Sequence, residues 1–382
     1  MGYKSLAQMP THHNGPVSSN VRPRNQLLYR PHMSNFWRLR RQLVGDGASA
    51  LVAWPAAVEL RFRLKPADLF GMPDPSVPRS TISGETKFSI DGETGKLTVL
   101  ETGELPPYRL DGTFNDGSLT IVGNEAVLQA NAVDEVHLES LLSWTSILLT
   151  QFLTVQIGAF IDIHSVRGTI AGRRVSALYP ADSYSILLAS VDAELRDERI
   201  RRALQAPSFN NPSYSRFVAS TRYFHHALRL IAPMEVNYVP YSAHSEVLLN
   251  LAKSIEILFS APSRDALRAR LRALEYTEEQ IETQIIPILV VRNEIDVGHP
   301  TSGHATPEEV ATLRRFVDRS LKNVAAILQN VWQRIILDEA FLDALPGDGG
   351  ADRTKLIAKL KTYLAAPGLD PSARTPVIIS AT

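Results

Sequence analysis

The sequence predicts an α+β protein in which an N-terminal antiparallel β-rich unit precedes a C-terminal all-α bundle. Three observations carry this. Val58 to Leu64 alternates apolar and charged residues, the period of a strand with one buried face. Glycine-containing turn pairs, among them Asp91-Gly92, Asp111-Gly112 and Asp116-Gly117, fall in or between the short runs that follow. From residue 183 onward, apolar residues recur at three- and four-residue steps, the period of a helix.

In chain order, residues 1–33 mix prolines with polar residues and read as a flexible arm. A short helix is expected from Asn35 to Val44, ended by Gly45-Asp46-Gly47. The β-rich unit, residues 34–180, then offers strands at Val58–Leu64, Thr86–Ile90, Lys96–Leu100, Tyr108–Phe114 and Ser118–Val122, forming a sheet, sandwich or small barrel. Residues 134–153 form one helix packed on it. Two more strands are expected, Gln156–His164 and Gly168–Ala177, the second bent at Gly172. The helical unit, 181–345, divides into helices at 183–205, 213–231, 242–259, 264–275, 278–297 and 307–335, the last continuing toward Leu345. Thr306-Pro307-Glu308-Glu309 and Thr277-Glu278-Glu279-Gln280 are capping boxes, and Ser263 caps the helix before the second. Pro287 should kink the 278–297 helix or mark its true start. A linker, a short basic helix at 353–364 and a tail complete residues 346–382.

Composition narrows the function. The 382 residues hold 40 Lys+Arg against 40 Asp+Glu, which removes the overall basic charge of a general nucleic-acid or membrane-surface binder. With no cysteine there is no disulfide framework, thiol nucleophile or Cys-based zinc site, as suits a reducing compartment. A polar stretch including His12, His13 and Asn14 stands where a signal peptide needs an apolar one, so a cytoplasmic location is expected. The uncharged run Leu141–Ile161 is interrupted by Thr145, Thr150, Gln151 and Thr154, for which a bilayer offers few partners, so no membrane is expected. Nucleotide-binding glycine loops and the nucleophile elbow are missing, and no cofactor is implied. The adjacent His225 and His226 point about 100° apart on a helix. His299 and His304 have no third ligand in view, so no metal site is expected. Asp162 and His164 share one face of their strand.

The chemistry concentrates in Val290-Val291-Arg292-Asn293-Glu294-Ile295-Asp296-Val297-Gly298-His299-Pro300, where an apolar helix ends in a polar turn. A permanent cation with bidentate donors stands near a group that exchanges a proton around neutrality. Together they supply what cleavage of a phosphodiester without metal requires. The same two residue types also cap helix C-termini, where they answer orphan carbonyls and the dipole.

On these residues, 213–330 resembles a HEPN domain (higher eukaryotes and prokaryotes nucleotide-binding), a four-helix bundle marked by Arg, four to six residues, then His. Here six residues separate Arg292 from His299, and the polar Asn293 follows the arginine. Lys253-Ser254-Ile255-Glu256-Ile257-Leu258-Phe259 resembles the acidic apolar helix that precedes the motif helix in many members. The arrangement of a β-rich unit before such a domain resembles some bacterial anti-phage defence proteins. The resemblance implies a homodimer through the helical bundle, a metal-independent endoribonuclease site, and RNA as substrate. His299 would be general acid/base, Arg292 the phosphate clamp and Asn293 an orienting group. Glu256 positions Arg292 or His299, or is a solvated glutamate. Arg314, Arg315, Arg319 and Lys322 are substrate-binding candidates or an ordinary solvated face. The β unit would sense an unknown ligand or protein. Gly298 departs from the more regularly helical motifs, and the family includes inactive dimerisation and ligand-binding modules. Residues 242–345 hold 11 Lys+Arg against 15 Asp+Glu, so any RNA chemistry must rest on a small local site. The alternative is a non-catalytic dimeric interaction or ligand-sensing protein.

Overall fold

The computed structural model describes residues 53–71, 86–90, 97–102, 107–114, 116–179, 193–204, 214–231, 241–261, 263–294 and 306–338, with the single positions Phe341 and Thr362. The expected arm and the Asn35–Val44 helix lie outside these residues, as do 183–192 of the expected 183–205 helix, 295–297 of the expected 278–297 helix, the continuation to Leu345 and nearly all of the 353–364 helix.

An N-terminal antiparallel sheet followed by helices is what the chain forms. β1 (Ala56–Lys65) lies at the centre, with Ala56, Val58, Leu60, Phe62 and Leu64 buried on one face. On its other face Arg61 donates to Glu59 and Glu125, each at 3.2 Å. β2 (Thr86–Ile90) and β3 (Leu97–Thr102) form a separate hairpin. β4 (Arg109–Phe114), β5 (Gly117–Val122), β6 (Glu125–Ala132), β7 (Asp162–Ile170) and β8 (Arg173–Leu178) complete a six-stranded open sheet in the order β4-β5-β6-β1-β7-β8. Leu60 stands opposite Leu128 on β6 and Gly168 on β7. Gly168 has a steric reason: a Cβ there would lie 1.9 Å from the Glu59 carbonyl oxygen.

Three expectations about this unit need correction. β6 went unrecognised, because its buried positions Ala126, Leu128, Ala130 and Ala132 are mostly alanine, a residue that carries little strand signal. The expected strand at Gln156–His164 begins only at Asp162, since Gln156 and Ile157 still belong to the preceding helix. Gly168 lies inside β7, and Gly172 is no bend. With Ala171 it makes a two-residue hairpin turn with φ of 50° and 76°, the positive pair that matches strand twist.

That preceding helix, α1 (Glu135–Ile157), joins the sheet to the bundle. Asp134 caps it, accepting from the His137 N–H at 2.7 Å. A π-helical turn interrupts it at Leu148–Phe152. The helix is long and apolar enough to cross a membrane, but 78% of its most apolar window is buried inside the fold. Its polar groups turn inward: Thr145 Oγ1 donates to the Leu141 carbonyl and Thr150 Oγ1 to that of Ser146, both at 2.7 Å. The helix ends at Gly158, which is left-handed at φ 74°.

The remaining helices are α2 (Ala193–Leu204), α3 (Tyr214–Ile231), α4 (Tyr241–Phe259), α5 (Arg264–Ala273), α6 and α7 (Pro307–Leu337). α6 runs as Glu278–Gln280, a π-helical turn Ile281–Ile285, and Ile286–Glu294. The irregularity expected at Pro287 is a change of ladder: a π-helical turn ends at Ile285 and regular α-helix resumes at Ile286, one residue before the proline. The π turn immediately before the proline absorbs the ladder bond that a residue without N–H cannot make. Both capping boxes form, and Ser263 caps α5.

The bundle closes over the C-terminal end of α1, where a helix leaves carbonyls unanswered. Gln329 Nε2 donates to the Val155 carbonyl at 2.7 Å, and Arg199 Nη1 to that of Ile157 at 3.1 Å. Just beyond the helix, His225 Nε2 meets the Ile161 carbonyl at 2.9 Å. Burial pushes the His225 imidazole down to about 4, with the carbonyl bond opposing the shift. It is therefore neutral at pH 7 and donates from Nε2. An unfolded histidine titrates near 6.5, so acid favours the unfolded chain as pH falls from 6.5 toward 4. Roughly 3 kcal/mol of stability should be lost across that window through this group. Urea titrations at pH 7 and pH 4 should show it, with a smaller difference in His225→Gln.

Candidate functional site

α4 supplies one half of the site. Val247, Leu248, Leu251, Ile255 and Leu258 are fully buried at helical spacing, which leaves Lys253 and Glu256 at the edge of the core-facing stripe. α6 supplies the other half. Ile288 and Leu289 pack inside, which carries Arg292 to the last turn and the rim. There Arg292 Nη1 meets Glu256 Oε2 at 2.6 Å, with the side chains 22% and 43% exposed. A charge-assisted contact of this length fixes the guanidinium between the two helices while leaving part of it open to solvent. Of the partners expected for Glu256, the structure brings it onto Arg292, with its side chain still 43% exposed to solvent.

Asn293 occupies the same last turn of α6. His299 lies outside the described residues, as does Gly298. Arg314, Arg315, Arg319 and Lys322 are all exposed on α7, with Arg315, Arg319 and Lys322 at steps of four and three along one stripe. His12, His13 and His304 also lie outside the described residues. His225 is a core residue, and the half-buried His226 is pushed down by burial and by the charges of Arg222 and Arg229. Asp162 on β7 opposes that shift at His226. Among the described residues no group of three or more His, Cys, Asp or Glu is placed to hold a metal ion.

A second cluster borders the pair. The Tyr223 ring on α3 has Arg222 Cζ at 5.5 Å and Lys253 Nζ, from α4, at 5.7 Å. Sequence reading passed over these residues, although one signal was present: residues 214–231 contain three arginines, two histidines and no Asp or Glu.

Chemically, the arrangement presents a held but partly exposed cation at a helix C-terminus, followed in the chain by a histidine seven residues on. No protein-family model, curated protein or solved structure matches the chain, so the functional reading rests on these side chains and the motif that contains them.

Proposed function

We propose that the protein is a metal-independent endoribonuclease of the HEPN type, acting as a toxin or anti-phage defence effector in the cytoplasm. The observation that supports it most is the Glu256–Arg292 contact. It sets the motif arginine at the bundle surface, in the orientation-controlled state a phosphate clamp needs. In this reading His299 accepts the proton of a ribose 2′-hydroxyl as the oxygen attacks the adjacent phosphorus. The 5′-oxygen leaves and is protonated, and a 2′,3′-cyclic phosphate remains. Arg292 stabilises the charge that builds on the phosphoryl oxygens, and Asn293 orients one of the two partners. Two copies of the motif, one from each protomer of a homodimer, complete the site, and the β unit regulates it by binding a ligand or protein.

A second reading, a non-catalytic dimeric interaction or ligand-sensing module, is favoured by one observation. Glu256 neutralises Arg292 in a segment already four charges to the acidic side. The two separate in a cleavage assay without added metal, comparing wild type with His299→Ala. The nuclease reading requires cleavage by wild type and its loss in the variant. Equal cleavage by both, or none by wild type on any RNA tried, leaves the non-catalytic reading.

A further inference from the structure

We propose that helices α3 and α4 carry a track for single-stranded RNA, with Tyr223 as the base platform and Arg222, Lys253 and Arg229 as phosphate contacts. It rests on the nuclease reading only for its destination, the Arg292 site; the track itself stands on other residues.

α3 is a cationic helix, with three arginines and no Asp or Glu. Arg222, His226 and Arg229 recur at steps of four and three, so they line one face over about 10 Å. The two arginine charges both reach His226, which places them along one strip of surface. The acidic group facing this end is Asp162 of β7. Beside the strip, the half-exposed Tyr223 ring lies within 6 Å of both Arg222 and Lys253.

The register that brings these groups together is set in the core. Ser220 Oγ donates to the Ser254 carbonyl at 2.7 Å, and Ser254 Oγ donates to that of Ser220 at 3.0 Å. Two small residues thus clasp α3 to α4 one position from Lys253 and one helical turn from Tyr223. Lys253 is in turn three residues from Glu256, which holds Arg292. By helix position, Arg229 and Arg222 on α3 and Lys253 and Glu256 on α4 therefore lead along the two helices toward the proposed catalytic arginine.

Cations interleaved with an aromatic ring match a single strand better than other anionic partners. A base stacks on the ring whatever its identity, while the flanking phosphates meet the cations. A duplex keeps its bases stacked on each other and has no use for Tyr223. The track also answers the charge objection, because Arg222 and Arg229 come from α3, outside the acidic 242–345 segment that contains Lys253.

The test is fluorescence anisotropy with a fluorescein-labelled oligouridylate made uncleavable by 2′-O-methyl groups. Tyr223→Ala should weaken binding about tenfold, while Tyr223→Phe, which keeps the stacking surface, binds as wild type. The pair Arg222→Gln and Lys253→Gln should lower the slope of log affinity against log salt by roughly 1.4, the value for two phosphate contacts on a single strand. Melting temperatures by circular dichroism confirm that each variant is folded. Wild-type affinity in all variants overturns the track. So does the absence of binding by wild type, or stronger binding of a polyglutamate peptide or an anionic vesicle. Weakened binding in the variants with no cleavage of any RNA by wild type upholds the track and sinks the nuclease. Cleavage that the track variants leave unchanged does the reverse.

Discussion

On the proposed nuclease reading, Arg292→Ala is expected to reduce metal-independent RNA cleavage by about a hundredfold or more, the loss typical when one group stabilising transition-state charge is removed. The fall should lie in kcat, because the charge that Arg292 meets develops only as the phosphorus is attacked. Arg292→Lys keeps the charge but loses the planar fork, so it should recover only part of the rate. Glu256→Gln removes the anion that holds the guanidinium at 2.6 Å, and should lower activity while leaving the arginine in place. The stability controls are favourable. A partly exposed ion pair contributes about 1 kcal/mol or less, so none of these variants should unfold the protein. Cleavage by Arg292→Ala at the wild-type rate would mean that the contact with Glu256 is structural. His299→Ala should lose activity by a similar or larger factor, since proton transfer contributes about 10² to 10⁴. The double variant should be little worse than either single one, because the two groups act in one step.

Trp332→Ala should have the largest effect on folding, a loss of about 3–5 kcal/mol. Trp332 is 1% exposed and stacks on Phe217 with ring centroids 5.2 Å apart and planes at 16°. It also meets Phe152 of α1 at 4.8 Å. Its Nε1 donates to the Arg202 carbonyl on α2 at 3.0 Å. One indole therefore joins α1, α2, α3 and α7. Removing it opens a cavity among the first, third and fourth of these and leaves a carbonyl unanswered. Trp332→Phe keeps most of the packing and forfeits the hydrogen bond, so a loss of about 1–2 kcal/mol is expected. Urea denaturation followed by far-ultraviolet circular dichroism measures both, since fluorescence would lose a probe in the variants. A Trp332→Ala loss below about 1 kcal/mol would show that the site collapses freely and that the cluster is no keystone.

Legibility along the chain followed the locality of the interactions. β1 was readable because one face is buried and the other charged, so its alternation is written in the residues themselves. The caps at Ser263, Thr277 and Thr306 were readable because a cap and its partner lie within three residues. β6 was not, since its inward face is made of small residues whose burial is decided by β1 and β5 on either side. The end of α1 was not, because all of Leu148–Ile157 is buried and a helix enclosed on every side shows no amphipathic period. Pro287 marked an irregularity in its helix, but the form it takes, a π turn just before the proline, has no sequence mark of its own.

By itself, then, the amino-acid sequence determined the α+β order of elements, the starts of the helices capped by Ser263, Thr277 and Thr306, and the residue types available for chemistry at Arg292, Asn293, Glu256 and His299. Which of these meet was a tertiary decision. Glu256 and Arg292 stand 36 positions apart, and their contact depends on how α4 and α6 bury their apolar stripes against each other. The same holds for Tyr223 and Lys253, brought together by two serines that let α3 and α4 approach closely. Periodicity reports which face of a helix is buried, but burial is nearly indifferent to which neighbour covers it. Close packing of particular side chains makes that choice, and with it the position of every charge on the rim.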